Sequence, residues 1–96
     1  MNRNEIIKII QDFKNEYADK YGILKIGIFG SVARGDNTDD SDIDIFITMK
    51  ITNLVLLSRI RQELEEKINT RVDLIQYRDK MNQFLKARID KEGIYV

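Results

Sequence analysis

The 96-residue chain contains no cysteine and no histidine, and these two absences narrow the chemistry open to it. Without cysteine there can be neither a disulfide bond nor a thiolate zinc site. Without histidine the chain lacks the commonest general base and the commonest ligand of transition metals. Any bound metal must therefore be held by oxygen atoms, which favours magnesium, manganese or calcium.

The chain also lacks an excess charge of either sign and any long apolar run. Lysine plus arginine and aspartate plus glutamate each number 16, so the formal net charge is zero. A dedicated nucleic-acid binder usually carries a basic excess, so we expect no direct nucleic-acid binding. We also expect no signal peptide, no transmembrane span and no membrane partner, and hence a cytoplasmic location.

The spacing of the apolar residues predicts alternating helices and strands. Ile6, Ile10 and Phe13 lie on one stripe at three- and four-residue spacing, which predicts an amphipathic first helix. Asn4 is its predicted cap, and Gly22 its predicted end. The predicted strands are Ile23–Phe29, Asp42–Thr48 and Val72–Gln76, and a polar loop over Gly30–Ser41 joins the first two. The later predicted helices are Leu54–Ile68 and one capped by Asp79, with Met81, Phe84, Leu85 and Ile89 inward. The last residues, Ile94–Val96, are predicted to form a short strand or a tail.

The order of these elements indicates an α+β fold. Two strands follow one another through a loop, so the sheet is predicted to be small and mixed, with helices flanking it. No repeat, linker or low-complexity tract interrupts the chain. We therefore expect a single domain over residues 1–96, with room for a partner chain or a homo-oligomer to complete a larger surface.

A glycine–serine pair after the first predicted strand is a candidate phosphate site. Gly30 lacks a Cβ and so lets the main chain approach a ligand closely. If Ser31 opens a helical turn, the free N–H groups there suit a phosphate. Arg34 offers a charged donor for phosphate or carboxylate, although pairing with Asp36 or Asp42 is an equal alternative.

Three aspartates form a candidate metal site. Asp42 and Asp44 lie two residues apart on a predicted strand, so their carboxylates share a face and repel each other unless a cation lies between them. Magnesium is the expected cation, because it takes carboxylate and substrate phosphate oxygens together. If the third strand is a neighbour in the sheet, Asp73 joins the pair, as in two-metal phosphoryl transfer.

Each feature alone has a simpler interpretation. Gly30 and Ser31 could form an ordinary turn after a strand. Asp42 and Asp44 could lie on the solvent face of an edge strand, and Asp73 could be an exposed alternating residue. Only their order and their joint occurrence favour a metal site.

The run GSVARGDNTDDSDIDIFI resembles the signature of the nucleotidyltransferase superfamily that includes DNA polymerase beta. It is most similar to the minimal nucleotidyltransferase branch, in which GS, ARG, a spaced SD and a following D occur in this order. The later RVDLI is similar to the segment that carries the third carboxylate of the family. The resemblance covers nearly the whole chain and implies a fold like the palm of polymerase beta.

The resemblance also implies residue roles. The implied ligands of two magnesium ions, with manganese as a substitute, are Asp42, Asp44 and Asp73. Asp73 would in addition help to deprotonate the attacking hydroxyl group. Gly30 and Ser31 would hold the β- and γ-phosphates of ATP, and Arg34 matches the arginine of the family.

The resemblance implies a partner as well. Members of this branch act as antitoxins of HEPN-domain toxins in a type VII-like pair, either by transferring AMP from ATP to a tyrosine of the toxin or by binding it. A weakly catalytic or non-catalytic antitoxin that neutralises its partner by occlusion therefore remains the alternative. Transfer to a small molecule such as an aminoglycoside would need a further helical domain.

Overall fold

A computed structural model describes residues 1–96 and contains four helices and four strands. In chain order these are α1 (Arg3–Tyr21), β1 (Ile23–Phe29), α2 (Gly30–Arg34), β2 (Ile43–Met49), α3 (Leu54–Ile68), β3 (Val72–Gln76), α4 (Gln83–Glu92) and β4 (Ile94–Tyr95). None of the helices combines the length and the apolar composition that crossing a membrane requires.

The strands form one mixed sheet in the order β3-β2-β1-β4. β1 runs antiparallel to both β2 and β4, whereas β2 and β3 are parallel. The connection between the parallel strands is α3, as a parallel crossover requires. The predicted α+β class with a small mixed sheet is confirmed, and the last residues form a short strand rather than a loose tail.

Alternation along the strands divides the apolar residues between the two faces of the sheet. The larger core lies between one face and the helices α1 and α3, and it contains 17 buried residues, among them Ile10, Ile45 and Leu64. On the other face, only Phe29, Phe46 and Ile89 form a buried cluster beneath α4. One face is therefore well covered, and the other leaves room beside α4.

Two predicted helix caps are wrong, and so is one predicted core position. Asn2, rather than Asn4, caps α1, because its side chain accepts a hydrogen bond of 2.9 Å from the N–H of Glu5. Asn82, rather than Asp79, caps α4 through the N–H of Leu85 at 3.0 Å. Phe84 is 86% exposed, so its predicted inward position is also wrong, because it lies five residues before the buried Ile89 and so on another face of the helix.

Candidate active site

Two of the three candidate aspartates lie side by side in the sheet. Asp44 on β2 and Asp73 on β3 are direct partners in the parallel register. Adjacent strands lie about 4.8 Å apart, and paired residues direct their side chains to the same face. Both carboxylates therefore lie on the less covered face, where Asp44 is half-buried and Asp73 is exposed.

Gly30 brings the main chain directly against Asp44. β1 and β2 pair Phe29 with Asp44, so the next residue, Gly30, leaves the sheet beside the Asp44 carboxylate. Gly30 has a φ of +71°, and a Cβ built there would overlap Asp44 Oδ2 and lie 3.1 Å from Asp44 Cγ. Both the backbone conformation and the lack of space require glycine at this position.

Asp42 lies just outside the sheet. The sequence predicts a strand that begins at Asp42, whereas β2 begins at Ile43, whose N–H donates to the carbonyl of Arg71 at 2.9 Å. Asp42 is exposed. No group of three or more acidic side chains lies close enough together to hold a metal ion. The fold thus pairs Asp44 with Asp73 and leaves Asp42 next to them on the preceding loop.

The charges around Asp44 act on its protonation. Burial raises the pKa of the Asp44 carboxyl above its ordinary value, and the negative charges of Asp73 and Asp42 raise it further. The guanidinium groups of Arg88 and Arg34 oppose that rise. The ionised form of Asp44 is therefore unfavourable in the protein alone, and a cation bound among these carboxylate oxygens would offset the repulsion.

The glycine–serine pair forms the start of a short helix rather than a loop. α2 comprises five residues from Gly30 to Arg34, so the predicted polar loop over Gly30–Ser41 is wrong for its first part. Ser31 lies in the first turn, half-buried. The N–H of Gly30 donates to Glu92 Oε2 at 3.1 Å, so a carboxylate from α4 already lies against this turn.

Arg34 has two acidic partners. Its Nε donates to Asp36 Oδ2 at 3.2 Å and its Nη1 to Glu92 Oε1 at 3.0 Å. The pairing with Asp36, which the sequence left open, is therefore present. The Glu92 carboxylate accepts hydrogen bonds from both Arg34 and Gly30 and so connects the end of α4 to α2.

Sequence reasoning missed two charged residues of α4, Arg88 and Glu92. The guanidinium carbon of Arg88 lies 5.7 Å from the centre of the Phe29 ring, and its charge reaches Asp44. Glu92 lies three residues beyond Ile89, and residues at this spacing share a face of a helix. Since Ile89 is buried, that spacing was the signal that could have placed Glu92 next to the sheet.

The sequence matches a known protein family over almost its whole length. Residues 4–96 match the family model described as "Polymerase beta, Nucleotidyltransferase". The protein adenylyltransferase MntA of Thermococcus cleftensis is 35% identical over 97 residues, which cover 96% of this chain and 93% of the relative. The similarity therefore extends well beyond the glycine–serine and aspartate motifs.

Solved structures show the same fold. A toxin–antitoxin crystal structure with AMP-PNP matches with a TM-score of 0.73 and 25% identity, over 99% of this chain and 72% of the other. A complex of a tri-AMPylated Shewanella oneidensis HEPN toxin with its MNT antitoxin matches with a TM-score of 0.64 and 23% identity, over 98% of this chain and 67% of the other. The second likeness concerns the fold alone.

Proposed function

The chain belongs to the minimal nucleotidyltransferase branch of the polymerase beta nucleotidyltransferase family, and from this we propose that it transfers AMP from ATP to a tyrosine hydroxyl of a HEPN-domain toxin. In this role the chain is the antitoxin of the pair. The proposal names a donor, an acceptor and a partner, each of which can be tested separately.

The pairing of Asp44 with Asp73 beside Gly30 carries the proposal. The two carboxylates share one face of the sheet, and the Gly30 main chain lies against the first of them. A triphosphate held by the Gly30–Ser31 turn would therefore place its α-phosphate near both acids. The 35% identity to a named protein adenylyltransferase supports AMP as the transferred group, and a structural relative with AMP-PNP supports ATP as the donor.

The proposed reaction is an in-line displacement at the α-phosphorus of ATP. The tyrosine oxygen forms a bond to the α-phosphorus, the bond from that phosphorus to the bridging oxygen of the β-phosphate breaks, and pyrophosphate leaves. Asp73 is exposed, so a tyrosine hydroxyl can reach its carboxylate, and the family resemblance implies that this carboxylate helps to accept the hydroxyl proton. Gly30 and Ser31 hold the β- and γ-phosphates in line, and Arg34 adds positive charge next to them.

The oxygen ligands of the site fit magnesium, and manganese could take its place. The raised pKa of Asp44 supports this fit, because it reflects burial and two neighbouring carboxylates. Asp44 and Asp73, which are paired in the sheet, would hold the ions together with phosphate oxygens of the nucleotide, and Asp42 would have to move in from the preceding loop to join them. Magnesium, when bound there, supplies positive charge that acidifies the attacking hydroxyl and stabilises the leaving pyrophosphate.

Transfer of label from α-³²P-ATP tests the proposal. The chain is co-expressed with its candidate HEPN-domain toxin, the complex is purified and incubated with magnesium and the labelled ATP, and the mass of each protein is measured before and after. We expect the partner to gain one or more adenylyl groups. Asp44→Asn and Asp73→Asn should each lower the rate at least about 100-fold, because each removes charge from the reacting centre.

Asp39→Asn is the matched control, since it makes the same chemical change on the exposed loop before β2. Its rate should equal that of the wild type. Label transfer that persists in a D44N/D73N double variant would show that other residues catalyse the reaction. If the double variant instead loses transfer but still protects cells from the partner, occlusion rather than adenylylation explains neutralisation.

A further inference from the structure

Glu92 occupies a position next to α2 that no assigned role explains. It comes from the last turn of α4, 62 residues further along the chain than Gly30. One oxygen accepts a hydrogen bond from the Gly30 N–H at 3.1 Å, and the other accepts from Arg34 Nη1 at 3.0 Å. Its side chain is only 19% exposed, so the carboxylate is held in this place rather than extended into solvent.

We propose that Glu92 is a built-in competitor of the nucleotide: its carboxylate takes the Gly30 N–H and the Arg34 guanidinium until the triphosphate of ATP displaces it. The inference rests on the proposed function, in which the same two residues face the phosphates. Glu92 thereby sets nucleotide affinity without taking part in the chemical step.

Charge and hydrogen bonding both make the two anions compete. A backbone N–H has one hydrogen to donate, so a phosphate oxygen and Glu92 Oε2 cannot both receive a full bond from Gly30. The phosphates and the Glu92 carboxylate, both negatively charged and next to the same N–H group, also repel each other. ATP must therefore move the Glu92 side chain away. The charge-assisted hydrogen bonds that Glu92 then loses reduce the net affinity of the protein for ATP.

The Glu92→Gln variant isolates this competition. Glutamine keeps the length of the side chain and an oxygen that can accept from Gly30, but its neutral oxygen makes the weaker bond and no longer repels phosphate. We expect the Kd for magnesium–ATP, measured by isothermal titration calorimetry, to fall by about three- to tenfold. Inorganic tripolyphosphate should gain by a similar factor, because the competition involves the phosphates and not the base.

Glu66→Gln is the matched control. Glu66 is exposed on α3, so this variant removes the same charge from the chain at a position away from α2. Its nucleotide affinity should equal that of the wild type. Glu92→Asp keeps the charge but shortens the side chain by one methylene, and we expect an intermediate gain; it carries the test if the glutamine variant does not fold.

The outcomes separate this inference from the proposed function. Tighter binding of both ligands by E92Q, but not by E66Q, supports the competitor role. If the wild type binds magnesium–ATP and the Glu92 variants bind it equally or more weakly, the competitor role is wrong and the proposed function stands. If neither the wild type nor any variant binds magnesium–ATP, both fail together.

Discussion

At Gly30 the main chain passes beside the Asp44 carboxylate with no room for a side chain. Gly30→Ala should lower the free energy of unfolding by about 2–5 kcal/mol, because it combines a left-handed backbone with an overlap against Asp44. Gly35→Ala is the control, since Gly35 has a similar φ of +82° but nothing within 4 Å of the position that a Cβ would take. Its loss should be only about 1–2 kcal/mol.

Urea denaturation of the two glycine variants measures the difference. The excess loss at Gly30 over Gly35 reports the contact with Asp44 and not the backbone conformation, which the two positions share. Equal losses would mean that the Asp44 carboxylate moves aside freely. In that case the close approach of main chain and acid would not be a fixed feature of the site.

Asp44 makes the stability of the metal-free protein depend on pH. Its pKa in the folded state is raised above the ordinary value of 3.8, so the folded state binds this proton more tightly than the unfolded state does. The resulting stability is fully present below the unfolded pKa and is lost as the pH rises through the folded pKa. At neutral pH the ionised Asp44 therefore destabilises the fold.

Asp44→Asn should remove the loss of stability that the ionised Asp44 causes at neutral pH. With EDTA present at about pH 7, we expect the free energy of unfolding to rise by up to about 1 kcal/mol once screening by solvent is allowed for. The difference between the variant and the wild type should shrink as the pH falls through the folded pKa of Asp44 and vanish well below 3.8, because Asp44 is then protonated in both states. Thermal unfolding over this pH range measures it, and a variant that is less stable than the wild type at neutral pH contradicts the prediction.

At the scale of single residues, local pattern predicted part of the site. The two-residue alternation along β2 and β3 is enough to place Asp44 and Asp73 on the same face, once the strands are neighbours. The contact of Glu92 with Gly30 spans 62 residues of chain, and its geometry depends on how α4 rotates over the sheet. The spacing from Ile89 could place Glu92 on the sheet side of α4, but no local pattern gives the rotation of the helix, so the contact with Gly30 was not predicted.

Among the elements, α4 was the least well predicted, because Phe84 and Ile89 are five residues apart and so cannot share one face of a helix. The periodicity placed Phe84 and Ile89 on one inward face, but the helix begins after Asn82 and only Ile89 is buried, at 3% exposure. β1, by contrast, has the bounds that the sequence predicts, because a buried strand between two glycines has clear limits. The five-residue α2 is too short to show a helical period, so the sequence offered it only as a helical turn that Ser31 could open.

Substitutions on α4 test its orientation. Ile89→Ala should cost about 2–4 kcal/mol of unfolding free energy, because it leaves a cavity in the cluster that Ile89 forms with Phe29 and Phe46. Phe84→Ala should change stability by no more than about 0.5 kcal/mol, since its ring is 86% exposed. Urea denaturation of both variants decides the matter, and a large loss at Phe84 would mean that α4 is rotated from the position described.

Across the whole molecule, the two faces of the sheet are unequally covered. The core beneath α1 and α3 contains 17 buried residues, whereas the cluster beneath α4 contains three. The paired acids, Gly30 and Glu92 all lie on the thinly covered side. Segments with few buried apolar contacts open at lower free energy than the rest of a protein, so we expect α4, which lies beside the site, to open more easily than α3.

Hydrogen exchange tests this asymmetry. The amides of α4 should exchange faster than those of α3 by at least about tenfold, because α4 has a single buried residue, Ile89, and α3 has three. The expected cause is local opening of α4, which would also release Glu92 from Gly30. Exchange in α3 should instead follow global unfolding.

Mass spectrometry of the exchanged protein over a urea series distinguishes local opening from global unfolding, since local opening responds little to urea and global unfolding responds strongly. Equal protection and equal urea dependence in the two helices would mean that α4 opens only when the whole fold does, and that ATP must displace Glu92 by moving its side chain alone.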